Sequence, residues 1–125
     1  MALHESGEMY IETIYLLSKT SAHVRAIDVC AYMGFSKPSV SRGMSVLKKE
    51  GFVFSDDDGF LFLTDSGLEI ALKIYERHTI VAKILVALGV DKNIAEEDAC
   101  RIEHILSDAS FEAIKKYSCE HLKNE

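Results

Sequence analysis

Cys100, Glu103 and His104 form a C-x-x-E-H run, and a thiolate, a carboxylate and an imidazole are three ways of donating an electron pair to one cation. On a helix, positions i, i+3 and i+4 share a face, so the run would gather its donors around a single divalent ion. Three donors leave a coordination shell open. Met9 and Glu12 offer a thioether and a carboxylate one turn apart, and His78 offers an imidazole from YERHT, a polar interruption of an apolar stretch. Taken singly, each has an ordinary reading as well: a Met in a core, a Glu or His on the surface, Cys100 as a small buried apolar residue. Their clustering by type and spacing is what points to metal. There is no H-E-x-x-H, G-x-S-x-G or phosphate-cradling glycine loop, which weakens the reading of the cluster as a hydrolytic centre or storage module.

A second kind of chemistry is concentrated in residues 36–49. Ser36, Ser39, Ser41, Arg42 and Ser45 would face outward, Lys37, Lys48 and Lys49 add positive charge, and the segment contains no acid. A DNA-reading helix needs this combination of short polar side chains toward its N-terminus and cations within reach of phosphate. Pro38 leaves no N–H in the first turn and can touch a thymine methyl, while Arg42 can address a guanine edge. A solvated, capped helix that binds nothing is the competing reading. Asp56, Asp57 and Asp58 count against phosphate contact at the hairpin that follows.

These residues need elements to carry them. Apolar spacing predicts a first helix over about Glu5–Lys19 with Ser6 as cap, a short second helix over Ala26–Met33 ended by Gly34, and a third over Lys37–Glu50, capped by Ser36 and ended by Gly51. FVF at 52–54 and FLFL at 60–63 flank Asp58-Gly59 and predict a small hairpin. Three helices and a hairpin make a winged helix-turn-helix. Ser66–Leu88 predicts a long helix with apolar residues on more than one face, which needs partners on two sides; a second copy of the chain across a two-fold axis would supply one of them. The remainder reads as two helices broken near Asp108–Ser110, the C-x-x-E-H run lying on the first. The expected architecture is thus mainly α: a winged helix-turn-helix DNA-binding domain in residues 1–64 and a helical dimerisation and metal-binding domain in 65–125.

Composition bounds these readings. The chain has 125 residues, 48% of them apolar, with a single Pro, which excludes a disordered or collagenous polymer. A net charge of −6 means that DNA binding must rest on a local basic face or on added cations. Three cysteines, Cys30, Cys100 and Cys119, without paired spacing suit free thiols in a reducing cytoplasm. No basic leader precedes an apolar core at the N-terminus, and no run reaches about 18 apolar residues, so neither export nor a membrane is expected.

EMYIETIYLL, SKPSVSRGMSVLKKEG, the hairpin ending in LTDSG, the Arg77-His78 pair and DACRIEHILSD, in that order over nearly the whole chain, resemble the DtxR/MntR family of metal-dependent transcriptional repressors. The resemblance implies a winged helix on a palindromic operator, a homodimer made by the later helices, and a divalent metal joining the first helix to the dimerisation region. Met9, Cys100, Glu103 and His104 match the primary site of the iron-responsive branch, while Glu12 and His78 match ligands of the manganese-responsive branch. The resemblance keeps His78 of the iron branch's ancillary site but puts Ala82 and Glu96 at its other two positions, and Glu12 or Glu96 with His78 could build a substitute. The pattern is that of the short architecture, without an SH3-like domain.

Thioether and thiolate donors favour Fe(II), with Mn(II) the alternative, and Zn(II), Co(II) or Ni(II) would bind in vitro by the Irving–Williams order. The expectation is a metal-dependent DNA-binding repressor controlling metal homeostasis, not an enzyme. The alternative is a metal-independent winged-helix regulator answering a small molecule or oxidation of a thiol such as Cys100. Arg25, Tyr32, Cys30, Cys119 and His121 acquire no role beyond packing or solvation, and His4 and His23 are expected in solvent.

Overall fold

The computed structural model describes residues 5–122, with the side chain of Glu5 excepted; His4 lies outside them. Eight elements follow in order: α1 (Glu5–Ser18), α2 (Ala26–Met33), α3 (Lys37–Lys49), β1 (Val53–Ser55), β2 (Leu61–Leu63), α4 (Asp65–Ala87), α5 (Lys92–Ile102) and α6 (Asp108–His121). The chain divides into two compact units between Leu72 and Lys73, part-way along α4.

The first unit is a winged helix-turn-helix. Its core joins Ile11 and Ile14 of α1, Val29 of α2, Val40, Met44 and Leu47 of α3, and Val53 and Leu61 of the strands, all buried. The helix ends follow the local chemistry. Gly34 closes α2 in the left-handed conformation at φ 70°, with its N–H on the Cys30 carbonyl. Ser36 caps α3 by accepting from the Ser39 N–H, and Pro38 sits in the first turn, where its missing N–H costs nothing. Ser6 is a correction: the chain is already helical at Glu5, so Ser6 lies inside α1 and not at its cap. β1 and β2 pair antiparallel, Val53 opposite Leu63 and Ser55 opposite Leu61. The Asp56 carboxylate accepts from the Asp58 and Phe60 N–H groups, which gives one of the three wing-tip acids a turn-forming duty. Leu61 N–H donates to the Val24 carbonyl at 2.7 Å and ties the wing to the chain entering α2.

The second unit packs the rest of α4 with α5 and α6. Val81, Ala82 and Ala99 are buried, with Leu85, Ile102 and Leu106 partly buried against them. Asp91 caps α5 and Ser107 caps α6 through their side chains. The break between these helices falls earlier than the expected Asp108–Ser110. α5 ends at Ile102, Glu103 is its C-cap, and α6 already starts at Asp108. On α4, Leu68, Leu72 and Val86 remain at least 41% exposed, on the second apolar face that its sequence predicts.

Candidate metal centre and nucleic-acid interface

Glu103 is 1% exposed, a burial that a carboxylate tolerates only with compensating hydrogen bonds and positive charge. The fold supplies both from α4 and from the turn after α5. His78 is held by two carboxylates, Nδ1 donating to Glu103 Oε2 at 3.1 Å and Nε2 to Glu96 Oε1 at 2.7 Å. His104 brings Nε2 to 3.4 Å from Glu103 Oε1. The hydrogen bond to Glu103, reinforced by Glu96, pushes the His78 pKa up to about 9 against the opposing effect of burial. A proton on His78 thus serves the carboxylates where a divalent cation could serve them. Two imidazoles and a carboxylate within contact distance are nitrogen and oxygen donors of the kind a first-row divalent ion takes, so this part of the candidate site fits a metal.

The backbone explains the arrangement. Glu103 keeps helical dihedrals at φ −58° and ψ −27°, its N–H bonded to the Ala99 carbonyl, so Cys100 and Glu103 retain i, i+3 geometry. The following N–H groups reach back three residues, His104 to Arg101 and Ile105 to Ile102, tightening the chain into a turn. C-x-x-E-H therefore lies across a helix end and not wholly on a helix, a second correction. Cys100 is exposed on α5, while Glu103 is buried. Met9 and Glu12 are half-buried on α1, one turn apart.

Arg77 has no role assignable from the sequence beyond its pairing with His78, yet it organises this turn. Only 8% exposed, it donates from one guanidinium nitrogen to the carbonyls of Glu103 (3.2 Å) and Leu106 (2.6 Å) and from the other to the Asp108 carboxylate. Its guanidinium also lies 5.2 Å from the Phe111 ring centre. Lys73 and, behind it, Arg77 hold the Asp108 carboxyl below the usual carboxylate range. The available signal was the polar interruption YERHT itself, because a charge within a stretch buried on two sides needs a built partner.

On α3, Ser36, Lys37, Pro38, Ser41, Arg42, Ser45 and Lys48 are exposed, opposite the buried face of Val40, Met44 and Leu47. Ser39 is half-buried at a junction: its hydroxyl accepts from Ser36 Oγ at 3.0 Å and from an Arg42 guanidinium nitrogen at 3.5 Å. The serines nearest the helix start thus hold one another in place with Arg42 beside them, and Lys37, Ser41 and Lys48 are exposed to solvent. His23 is exposed as expected, its ring tilted 45° against Phe60 with centroids 4.5 Å apart. No helix among the described residues is long and apolar enough to cross a membrane.

Residues 2–59 match the iron-dependent repressor N-terminal DNA-binding domain, and residues 64–123 match the iron-dependent repressor metal-binding and dimerisation domain. The transcriptional regulator MntR of Escherichia coli is 32% identical over 112 residues, covering 90% of this chain and 72% of MntR. The diphtheria toxin repressor of Corynebacterium diphtheriae is 29% identical over 107 residues, covering 85% of this chain and 47% of that repressor. Among solved structures, the manganese regulator SloR aligns with a TM-score of 0.78 and 27% identity over 94% of this chain and 54% of SloR. The chain spans about half the length of SloR and of the diphtheria toxin repressor.

Proposed function

This chain belongs to the DtxR/MntR family of metal-dependent transcriptional repressors, and from that premise we propose that it is a cytoplasmic repressor, not an enzyme, that occupies a palindromic operator as a homodimer when divalent metal is bound. Residues 1–64 read DNA; residues 65–125 dimerise and hold metal with α1. Met9, Glu12, His78, Cys100, Glu103 and His104 are the proposed ligands. A divalent ion held by Met9 and Glu12 of α1, His78 of α4 and Cys100, Glu103 and His104 would supply positive charge to these donors. The observation that carries this reading is the buried Glu103 carboxylate flanked by His78 and His104.

Ser36, Lys37, Pro38, Ser39, Ser41, Arg42 and Lys48 are the proposed DNA contacts. Lys37 and Lys48 neutralise phosphate, and Arg42 addresses a base edge. Fixing each winged domain against the dimer body sets the two α3 helices about 34 Å apart, or a multiple of that, one turn of B-DNA. Without that restraint a smaller fraction of dimers is competent, and apparent affinity falls by that fraction. Fe(II) is the leading ion because Met9 and Cys100 are soft donors. Mn(II) is the second reading, favoured by the nitrogen and oxygen donors around Glu103 and by the likeness to MntR. Zn(II), Co(II) and Ni(II) are expected to bind in vitro.

The test titrates anaerobic, metal-free protein onto a palindromic duplex from its own promoter region with chelator, Fe(II) or Mn(II). Binding that requires metal is the expected outcome, and the ion effective at the lower free concentration ranks the two. Equal binding in chelator would overturn the metal switch and leave a regulator answering a small molecule or thiol oxidation.

A further inference from the structure

Tyr10 stands on α1 between Met9 and Glu12 and is 5% exposed. Its side chain meets the chain just ahead of α3 once and α3 itself twice, at positions one turn apart. The ring is edge-on to Phe35, just ahead of the Ser36 cap, with centroids 6.0 Å apart and planes at 85°. The hydroxyl donates to the Ser39 carbonyl at 3.2 Å. Beyond it the ring lies against Gly43, where a Cβ would stand 2.3 Å from Tyr10 Cε2 and 2.9 Å from Cδ2 and Cζ. Positions 39 and 43 share a face of α3, so one aromatic side chain touches the residue ahead of the helix cap and grips the first two turns of α3.

Burying an aromatic ring requires neither a notch in the facing helix nor a hydroxyl bonded to its backbone. Together they fix the position of α1 along α3, because a close-packed ring against bare backbone has no slack in which to slide. The bonded carbonyl belongs to Ser39, the residue whose hydroxyl gathers Ser36 and Arg42. We propose that Tyr10 is the positioning residue that couples the metal-bearing helix to the DNA-reading helix: displacement of α1 at Met9 and Glu12 is delivered through its ring and hydroxyl to the register of α3. This rests on the proposed function, in which α1 carries metal ligands and α3 reads DNA. Linkage requires the coupling to be reciprocal, so operator DNA raises metal affinity by the factor by which metal raises operator affinity.

The experiment uses the full chain and reads the ratio of operator affinities in saturating Mn(II) or Fe(II) and in chelator, by fluorescence anisotropy on the same duplex. Tyr10→Phe is expected to lower that ratio by about fivefold, the worth of one ordinary hydrogen bond, with metal affinity in the absence of DNA unchanged. Gly43→Ala is expected to lower both the ratio and the melting temperature. Adding Tyr10→Leu to Gly43→Ala should recover the melting temperature and leave the ratio low. A merely structural Tyr10 would move melting temperatures and spare the ratio, so an unchanged ratio in Tyr10→Phe overturns the proposal, and this variant decides the matter even if Gly43→Ala does not fold. A wild-type ratio of one overturns the metal switch and the coupling together; a large wild-type ratio unchanged in Tyr10→Phe overturns the coupling alone.

Discussion

The two units are stabilised by different physics. In the winged unit the buried set is apolar apart from Thr13, whose hydroxyl donates to the Met9 carbonyl within its own helix. In the second unit the buried apolar cluster is built largely of alanines and one valine, and beside it lie Arg77 and Glu103, the buried charged side chains among the described residues. Apolar burial is insensitive to pH and to cations, whereas buried charge is stable only while its partners keep their ionisation. The first unit is thus held by apolar packing, and the second by packing together with buried charge whose contribution depends on ionic conditions.

Removing Arg77 should break that comparison most severely. Arg77→Met leaves the Glu103 and Leu106 carbonyls without this donor and takes the guanidinium away from the Asp108 carboxylate. Metal-free protein is expected to lose about 3–5 kcal/mol in urea unfolding, the usual cost of stripping one partner from a buried charged network. Leu47→Ala, in the apolar core and 1% exposed, should cost about 2–4 kcal/mol from lost burial and the cavity left behind. That loss should be the same at pH 6.5 and pH 9, which separates it from the first.

The pH dependence sharpens the contrast. His78 has a folded pKa raised from 6.5 to about 9, so its contribution is fully present below pH 6.5 and is lost as pH rises through 9. Metal-free wild type is expected to lose stability across that window, and His78→Gln to show a flatter profile; equal slopes in equilibrium unfolding would contradict the assignment. The smallest effect is expected at Lys73, whose ion pair with Asp108 at 3.2 Å joins side chains 56% and 73% exposed. Lys73→Ala should leave the melting temperature within experimental error at physiological salt.

Legibility from the sequence follows the range of the interactions. α2 was readable to the residue, and α3 to within one, because Gly34, Ser36 and Pro38 act on backbone groups a few positions away. The end of α5 was not, because no Gly or Pro marks it. Arg77 fixes the turn there from 26 and 29 positions upstream, through carbonyls that carry no signature in the sequence. The donor types at 78, 103 and 104 were legible, but that one buried carboxylate would sit between two imidazoles was not, since that depends on packing α4 against the turn. Tyr10 was equally opaque. It reads as one more apolar residue of α1 until Gly43 lies beneath it.

The positions around Glu103 also differ in how freely they can change. Glu103 is locked into the interior, whereas Glu96 and Cys100 sit on the exposed surface of α5, where exchanging a side chain costs the fold little. Under the proposed ligand set, the soft donor at position 100 is therefore the one the fold can exchange cheaply, and the hard donor at position 103 the one it cannot.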